Sequence, residues 1–195
     1  MLMTFLIYTL CQEENQSVRE KVVAEVDGFE GQNGNGPEYN DVLNGFRYLE
    51  GALCETLRLY PSVPCLGRHA ERDIELPIKD ENGQHYVIRK GDDVLSSPFI
   101  QARTPRIWGD DCLEIKPERW TKGVNTFDQY KFSHFNVSPR LCLGKQFAIT
   151  EAKTFMYHLF KNFTFELVTD KPMEFVSGVI LNFKGGLMVK VRARE

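Results

Sequence analysis

One thiol stands out: Cys142, in the stretch Phe135-Asn136-Val137-Ser138-Pro139-Arg140-Leu141-Cys142-Leu143-Gly144. An arginine precedes it by two residues and a helical pattern follows directly. Pro139 stiffens the approach, and Gly144 lets another body come close to the backbone. From Lys145 to Phe163, the residues Phe147, Ala148, Ala152, Phe155, Met156, Leu159, Phe160 and Phe163 recur at helical intervals. Cys142 is therefore expected just ahead of a helix N-terminus. Unpaired backbone N–H groups and the positive end of the helix dipole there favour negative charge on sulfur and its bond to a metal. The local pattern leaves two readings open: a thiolate presented to a metal, or a buried free cysteine packed as a small hydrophobe.

Two further constellations have charge. Glu55 and Arg58 lie three apart and share a helix face, which by spacing alone describes a surface ion pair. A second charged cluster, Pro117-Glu118-Arg119-Trp120, falls in the long irregular segment from Arg103 to Phe132. Such a segment needs ionic anchoring to hold one shape, and a shared Glu–Arg–Arg cluster would supply it. Arg68 and Arg140 each adjoin a Gly- or Pro-containing turn, where arginine often holds a carboxylate or phosphate through paired hydrogen bonds. The four histidines show no metal-ligand spacing and are assigned no role. A cysteine hydrolase would need an oriented histidine, and nothing in the sequence specifies one.

These groups must be positioned by a chain of 195 residues, enough for a real core. A net charge of −3 with interspersed signs gives no footprint for nucleic acid. Five scattered cysteines with no C-x-x-C pair argue against a disulfide framework and a zinc site, and favour a reducing compartment. Met1 to Cys11 reads as the end of a buried helix, too short to span a bilayer, and a start within such an element raises the expectation of a truncated chain. Ser17 to Val26 reads as a second helix with Ser17 as N-cap, ending at Gly28. Gly28 to Pro37 is a Gly- and Asn-rich exposed loop. A third helix runs from about Leu43 or Phe46 to Leu59, stopped by Pro61 and Pro64. Asp73 to Leu76, Tyr86 to Arg89 and Asp92 to Leu95 read as strands of one small antiparallel sheet, with turns at Asn82-Gly83 and Lys90-Gly91. Phe163 to Val168 and Val179 to Val191 read as further strands.

Glu55-Thr56-Leu57-Arg58, then Pro117-Glu118-Arg119-Trp120, then Phe135-x-x-Ser138-x-Arg140-x-Cys142-x-Gly144, in this order and register, resemble the carboxy-terminal part of a cytochrome P450, a haem-thiolate monooxygenase. The resemblance covers essentially the whole chain. It implies a mainly helical fold with small antiparallel β-sheets, residues 1–195 forming a single partial domain. It implies haem b as cofactor, with Cys142 as axial iron ligand, Phe135 shielding the sulfur, Gly144 passing close under the porphyrin, and Arg140 and Arg68 on the propionates. Glu55, Arg58 and Arg119 match the family's structural triad. The turn Val63 to Leu66, with Cys65, and the later turn with Val179 and Ile180 match its substrate-contact segments; their apolar character suits a lipophilic substrate.

In detail the sequence looks most like eukaryotic hydroxylases of fatty acids or alkanes. The whole protein is then expected to take O2, a small lipophilic substrate and electrons from an NADPH-dependent flavoprotein reductase. The reductase would dock behind Cys142, where Lys131 and Lys145 add positive charge. Membrane anchorage at the cytosolic face of the endoplasmic reticulum follows from the same resemblance. Two departures qualify these expectations. Ser138 stands where the family usually has glycine, which is expected to strain the hairpin before the cysteine. The family's oxygen-activating helix would end at about Met1 to Leu10, so its proton-delivery residues lie outside this chain. The rival expectation is a truncated, catalytically inactive fragment that keeps only the haem-thiolate loop.

Overall fold

A computed structural model describes residues 1–29, 36–120, 128–168 and 173–194. The first apolar stretch forms helix α1 (Leu2–Cys11), which buries Phe5, Leu6, Thr9 and Leu10. Helix α2 (Gln16–Asp27) turns Val18, Val22 and Val26 inward, as the spacing predicts. Ser17 does not cap it. The 3-10 turn Glu13–Asn15 runs straight into Gln16, which places Ser17 inside the helix. Asn15 links the two helices by donating from Nδ2 to the Thr9 carbonyl at 2.9 Å. Of the expected loop Gly28 to Pro37, residues 30–35 lie outside the described residues, as do 121–127 of the irregular segment.

Periodicity gives no sign of α3 (Tyr39–Asn44), a six-residue helix closed by a capping box between Glu38 and Asp41. The long third helix, α4 (Arg47–Leu59), begins at a strained corner: Phe46 is left-handed, with φ 51° and ψ 50°. Its ring is buried against Phe29 and Tyr157 at 5.0 and 5.2 Å, which holds the corner in place. No side chain of its own caps the helix. The Glu25 carboxylate of α2 does so, accepting from the Tyr48 and Leu49 amides at 2.8 Å each. Every residue of α4 from Gly51 to Leu59 is buried.

Helices α1, α2 and α4 share one core with α7 (Lys145–Asn162), the helix that follows the cysteine loop. Leu6, Val22, Leu53 and Met156 meet there, fully buried. Lys153 of α7 is buried too, and its Nζ reaches Glu50 of α4 at 2.7 Å. A charge at such depth needs a partner, so this pair fixes the register of α7 on α4.

Small antiparallel sheets form as expected, but the region between Arg68 and Ser97, read from sequence as one sheet, makes two. Strand β1 (Leu66–His69) pairs antiparallel with β4 (Asp93–Ser96), and β2 (Ile74–Lys79) with β3 (His85–Ile88). Asn82-Gly83 closes β2 and β3 into a hairpin. The Gly91 amide then donates to the Ala70 carbonyl at 2.8 Å, and the Ala70 amide to the Asp92 carbonyl at 2.9 Å. These two bonds carry the chain past the hairpin and lay β4 on β1. Short helices α5 (Pro98–Gln101) and α6 (Pro105–Trp108) and the 3-10 turn Pro117–Trp120 organise the irregular segment. After α7, β5 (Phe163–Leu167) pairs with β8 (Val189–Ala193), and β6 (Phe175–Ser177) with β7 (Leu181–Phe183). Among the described residues no helix is long and apolar enough to cross a membrane.

Candidate functional site

The site begins on α4. Glu55 and Arg58 are completely buried, so the surface-pair reading of their spacing is overturned. The guanidinium grips the carboxylate with two parallel bonds, Nε to Oε1 and Nη2 to Oε2, both 2.8 Å. Its remaining donors go to backbone carbonyls of the irregular segment: Nη1 to Ala102 at 2.9 Å and Cys112 at 2.6 Å, Nη2 to Glu114 at 2.9 Å. Trp108 lies under it, 4.8 Å from the guanidinium carbon. Glu55 in turn accepts from the Lys116 amide at 3.0 Å and from Trp120 Nε1 at 2.9 Å. A buried ion pair repays its desolvation only when the lone pairs and protons are satisfied, and here they are.

Arg119 completes the cluster from the 3-10 turn. Its Nε lies 3.6 Å from Glu55 Oε2, an electrostatic contact beyond hydrogen-bond range. Its forked bonds go instead to Trp108 and Asp111. Nη1 donates to the Trp108 carbonyl at 3.2 Å, and Nη2 donates to the Asp111 carbonyl at 2.9 Å and pairs with Asp111 Oδ1 at 2.7 Å. Asp111 is thus a fourth member that sequence reasoning missed. Lys116, with Nζ 2.7 Å away, and then Arg119 hold its carboxyl well below the usual carboxylate range. Gly51 allows the approach: a Cβ there would sit 2.7 Å from the Pro117 carbonyl oxygen, so only glycine lets the turn lie flat on α4.

This knot supports the cysteine loop. His134, given no role by its spacing, stacks on Phe132 with ring centroids 4.3 Å apart and donates from Nε2 to the Arg58 carbonyl at 3.1 Å. Its Nδ1 is buried without a hydrogen-bond partner among the described residues, which fits a neutral ring. Burial pushes its pKa down to about 4, reinforced by the charges of Arg58 and Arg103 and opposed by the bond to the Arg58 carbonyl. Phe135 packs its ring into the cluster of Cys54, Leu57 and Trp108, and Lys145 Nζ stands 5.8 Å over that ring. The Phe135 carbonyl accepts the Cys142 amide at 2.7 Å, closing the loop at its base.

Cys142 itself is exposed, which removes the reading of a cysteine packed as a core hydrophobe. It stands two residues before Gly144, the cap of α7, as the spacing predicts. Beside it, Leu143 is 102 % and Phe147 73 % exposed. From there an open apolar groove of about 870 Å³ runs along α7 past Tyr39, Phe155 and Phe163. A Cβ at Gly144 would meet nothing nearer than Cys142 Sγ at 4.0 Å, so the space beside Gly144 is open. Ser138, where strain was expected, is not among the positive-φ residues; that conformation falls two positions earlier, at Asn136, with φ 63°. Arg140 is exposed in the loop. Arg68 reaches the loop from β1 and donates from Nη2 to Asn136 Oδ1 at 2.9 Å.

Among the described residues no group of three or more His, Cys, Asp or Glu side chains is gathered for a metal ion. A metal taken by Cys142 would find no three-ligand protein set among them, which suits an ion already held by a macrocycle. The apolar flanks Leu143 and Phe147 and the two arginines fit a flat apolar ring with acidic arms.

The two segments matched to substrate contact also come together. The Leu181 amide donates to the Ser62 carbonyl at 3.0 Å, and Ser97 Oγ to the Pro64 carbonyl at 2.9 Å. Val63, Cys65, Val179 and Ile180 are exposed around this junction, with Leu66 half-buried.

A sequence model of the family described as cytochrome P450 matches residues 2–191. The chain belongs to the cytochrome P450 family. Members of this family are haem-thiolate monooxygenases that bind haem b through a cysteine. Curated relatives include noroxomaritidine synthase 2 of Narcissus aff. pseudonarcissus MK-2014, 36 % identical over an aligned length of 204, which covers 99 % of this chain and 38 % of the relative. Cytochrome P450 86B1 of Arabidopsis thaliana is 33 % identical, over 94 % of this chain and 34 % of its own length. Cytochrome P450 94B1 of the same plant is 33 % identical, over 99 % and 37 %. The chain thus spans well under half the length of the P450 relatives it matches.

Proposed function

We propose that Cys142 is the axial thiolate of a haem iron, and that the protein to which this chain belongs is a monooxygenase acting on a lipophilic substrate. The observation that carries the reading is an exposed thiol, flanked by apolar surface and mounted on an ionic knot whose Glu55–Arg58 pair is fully buried. Arg68 and Arg140 bind the propionates, Phe135 backs the sulfur, and Gly144 leaves room for the ring. Haem supplies the activation of O2 in this family. The balanced reaction is RH + O2 + two electrons + two protons giving ROH + H2O. Glu55, Arg58, Arg119 and Asp111 take no part in it; they hold the loop.

The substrate reading rests on the apolar junction of Val63 and Leu66 with Val179 and Ile180, which favours a hydrocarbon chain such as that of a fatty acid. Electrons come from an NADPH-dependent flavoprotein reductase, drawn by positive charge at Lys131 and Lys145. The whole protein is anchored at the endoplasmic reticulum membrane. The test is the carbon monoxide difference spectrum of the haem-loaded protein beside a Cys142→Ala control. A thiolate-type Soret band that disappears in the variant supports the reading, and a band unchanged by the substitution defeats it. Titration with fatty acids of graded chain length then checks the substrate class: a shift of the haem spectrum is expected, and no shift at any length counts against it.

A further inference from the structure

We infer that Asn136 is a positioning residue, whose amide oxygen latches strand β1 to the cysteine loop through Arg68. The inference rests on the reading of Cys142 as haem ligand for its functional meaning, but its geometry is independent of that reading.

Asn136 has φ 63° and ψ −175°, a backbone conformation that glycine enters freely and a side chain enters at a cost. Both lone pairs of its side-chain oxygen are used. Oδ1 accepts from the Val137 amide at 3.0 Å and from Arg68 Nη2 at 2.9 Å. Around it the Asn136 amide donates to the Ser133 carbonyl at 2.8 Å, the Arg140 amide to Val137 at 2.8 Å and the Cys142 amide to Phe135 at 2.7 Å. Asn136 therefore sits just inside the base of the loop, at the residue whose dihedrals set the loop's direction. The group that reads this position comes from elsewhere. Arg68 belongs to β1, where it pairs in register with Val94 of β4.

Glycine would satisfy the backbone better, and only a side chain with an acceptor can also hold Arg68. The latch leaves Arg68 able to bind. A guanidinium has five N–H donors, of which one goes to Asn136 and another, from Nη1, to the Gly67 carbonyl at 2.8 Å. The rest stay available to a carboxylate near the thiol, which would meet an arginine already oriented. Asn136 thus positions two groups at once, the sulfur-bearing loop and the propionate-binding arginine.

The experiment compares Asn136→Gly, Asn136→Asp, Arg68→Ala and the double variant Asn136→Gly/Arg68→Ala by two readouts. In the haem-free protein, the alkylation rate of Cys142 is followed by mass spectrometry of its own peptide, since Cys65 is also exposed. Loss of a hydrogen bond to a charged group should speed alkylation about five- to tenfold in Asn136→Gly, with less than about a twofold further change in the double variant relative to Arg68→Ala. Asn136→Asp keeps an acceptor for both donors and should stay within about twofold of wild type. In haemin titrations the same non-additive pattern is expected for affinity. Alkylation and affinity unchanged in Asn136→Gly, or effects of the two single substitutions that simply multiply, overturn the inference and reduce Asn136 to a turn residue. A wild-type protein without a Cys142-dependent thiolate spectrum defeats the haem reading alone, and the alkylation series then decides the latch by itself.

Discussion

The Glu55–Arg58 knot and the Cys142 loop hold the chain's most distinctive polar groups under opposite conditions. In the knot Glu55 and Arg58 are sealed and their bonds are spoken for. In the loop the thiol, Arg140 and much of Arg68 face outward, with bonding capacity to spare. A buried charge is tolerated only when fully satisfied, and a satisfied group is chemically inert. A reactive group must stay unsatisfied and therefore exposed, and its position has to be fixed by something else. The knot provides this through Arg58, whose carbonyl holds His134 one residue before Phe135.

Substitutions separate the two regions by the size of their effect on folding. The largest is expected for Arg58→Ala, which strands the Glu55 carboxylate in the core and releases three backbone carbonyls. Urea unfolding should register a loss of about 3–5 kcal/mol, and Arg58→Lys should rescue little because an ammonium cannot fork. A loss comparable to that of an exposed arginine would show that the knot is not what holds the irregular segment.

Next comes acidification through His134. Its folded pKa of about 4 lies below the ordinary value of 6.5, so the unfolded chain binds the proton first as pH falls. The contribution is complete above pH 6.5 and is lost progressively down to about pH 4, on the order of 3 kcal/mol for a shift of this size. A His134→Phe variant, which keeps the stack on Phe132, should flatten that part of the stability profile. A profile unchanged by the substitution would remove His134 from the link between the two regions.

Gly51→Ala should cost about 1–3 kcal/mol, because the added methyl must push the Pro117 turn off α4 against any gain in helix propensity. The smallest effect belongs to the loop. Cys142→Ala should change thermal or urea stability by no more than about 0.5 kcal/mol, as for an exposed residue, while abolishing thiolate ligation of haem. A large loss of stability there would erase the contrast between the regions.

Much of the fold was legible because the helices are long and periodic. The apolar spacing placed α2 and α7 to within a residue or two, and the proline stop placed the end of α4, whose start the sequence leaves between Leu43 and Phe46. Helix α3 escaped, since six residues give too little periodicity and its capping box uses Glu and Asp where Ser or Thr is the usual signal. Ser17 misled because a good capping residue was available one position inside a helix already started by a 3-10 turn. The single sheet failed for a different reason: strand pairing depends on the path of the chain, and β1 is too short and too exposed to announce itself.

The site divides the same way. The order of Glu55, Arg58, Arg119, Arg140 and Cys142 along the chain was enough for the resemblance, and the matching family model confirms that family. It could not say that the ion pair lies in the core. The same three-residue spacing serves a surface pair, and burial is a property of what packs around a helix. Asp111 was invisible because its partners Lys116 and Arg119 stand at no motif spacing from it, His134 because its partner is a backbone carbonyl remote in sequence, and Asn136 because no motif records φ. Sequence alone determined which groups the chain carries, their order, and the helices whose faces repeat. Tertiary structure decided which charges are sealed and which thiol is offered, because burial and hydrogen-bond satisfaction exist only once distant segments have met.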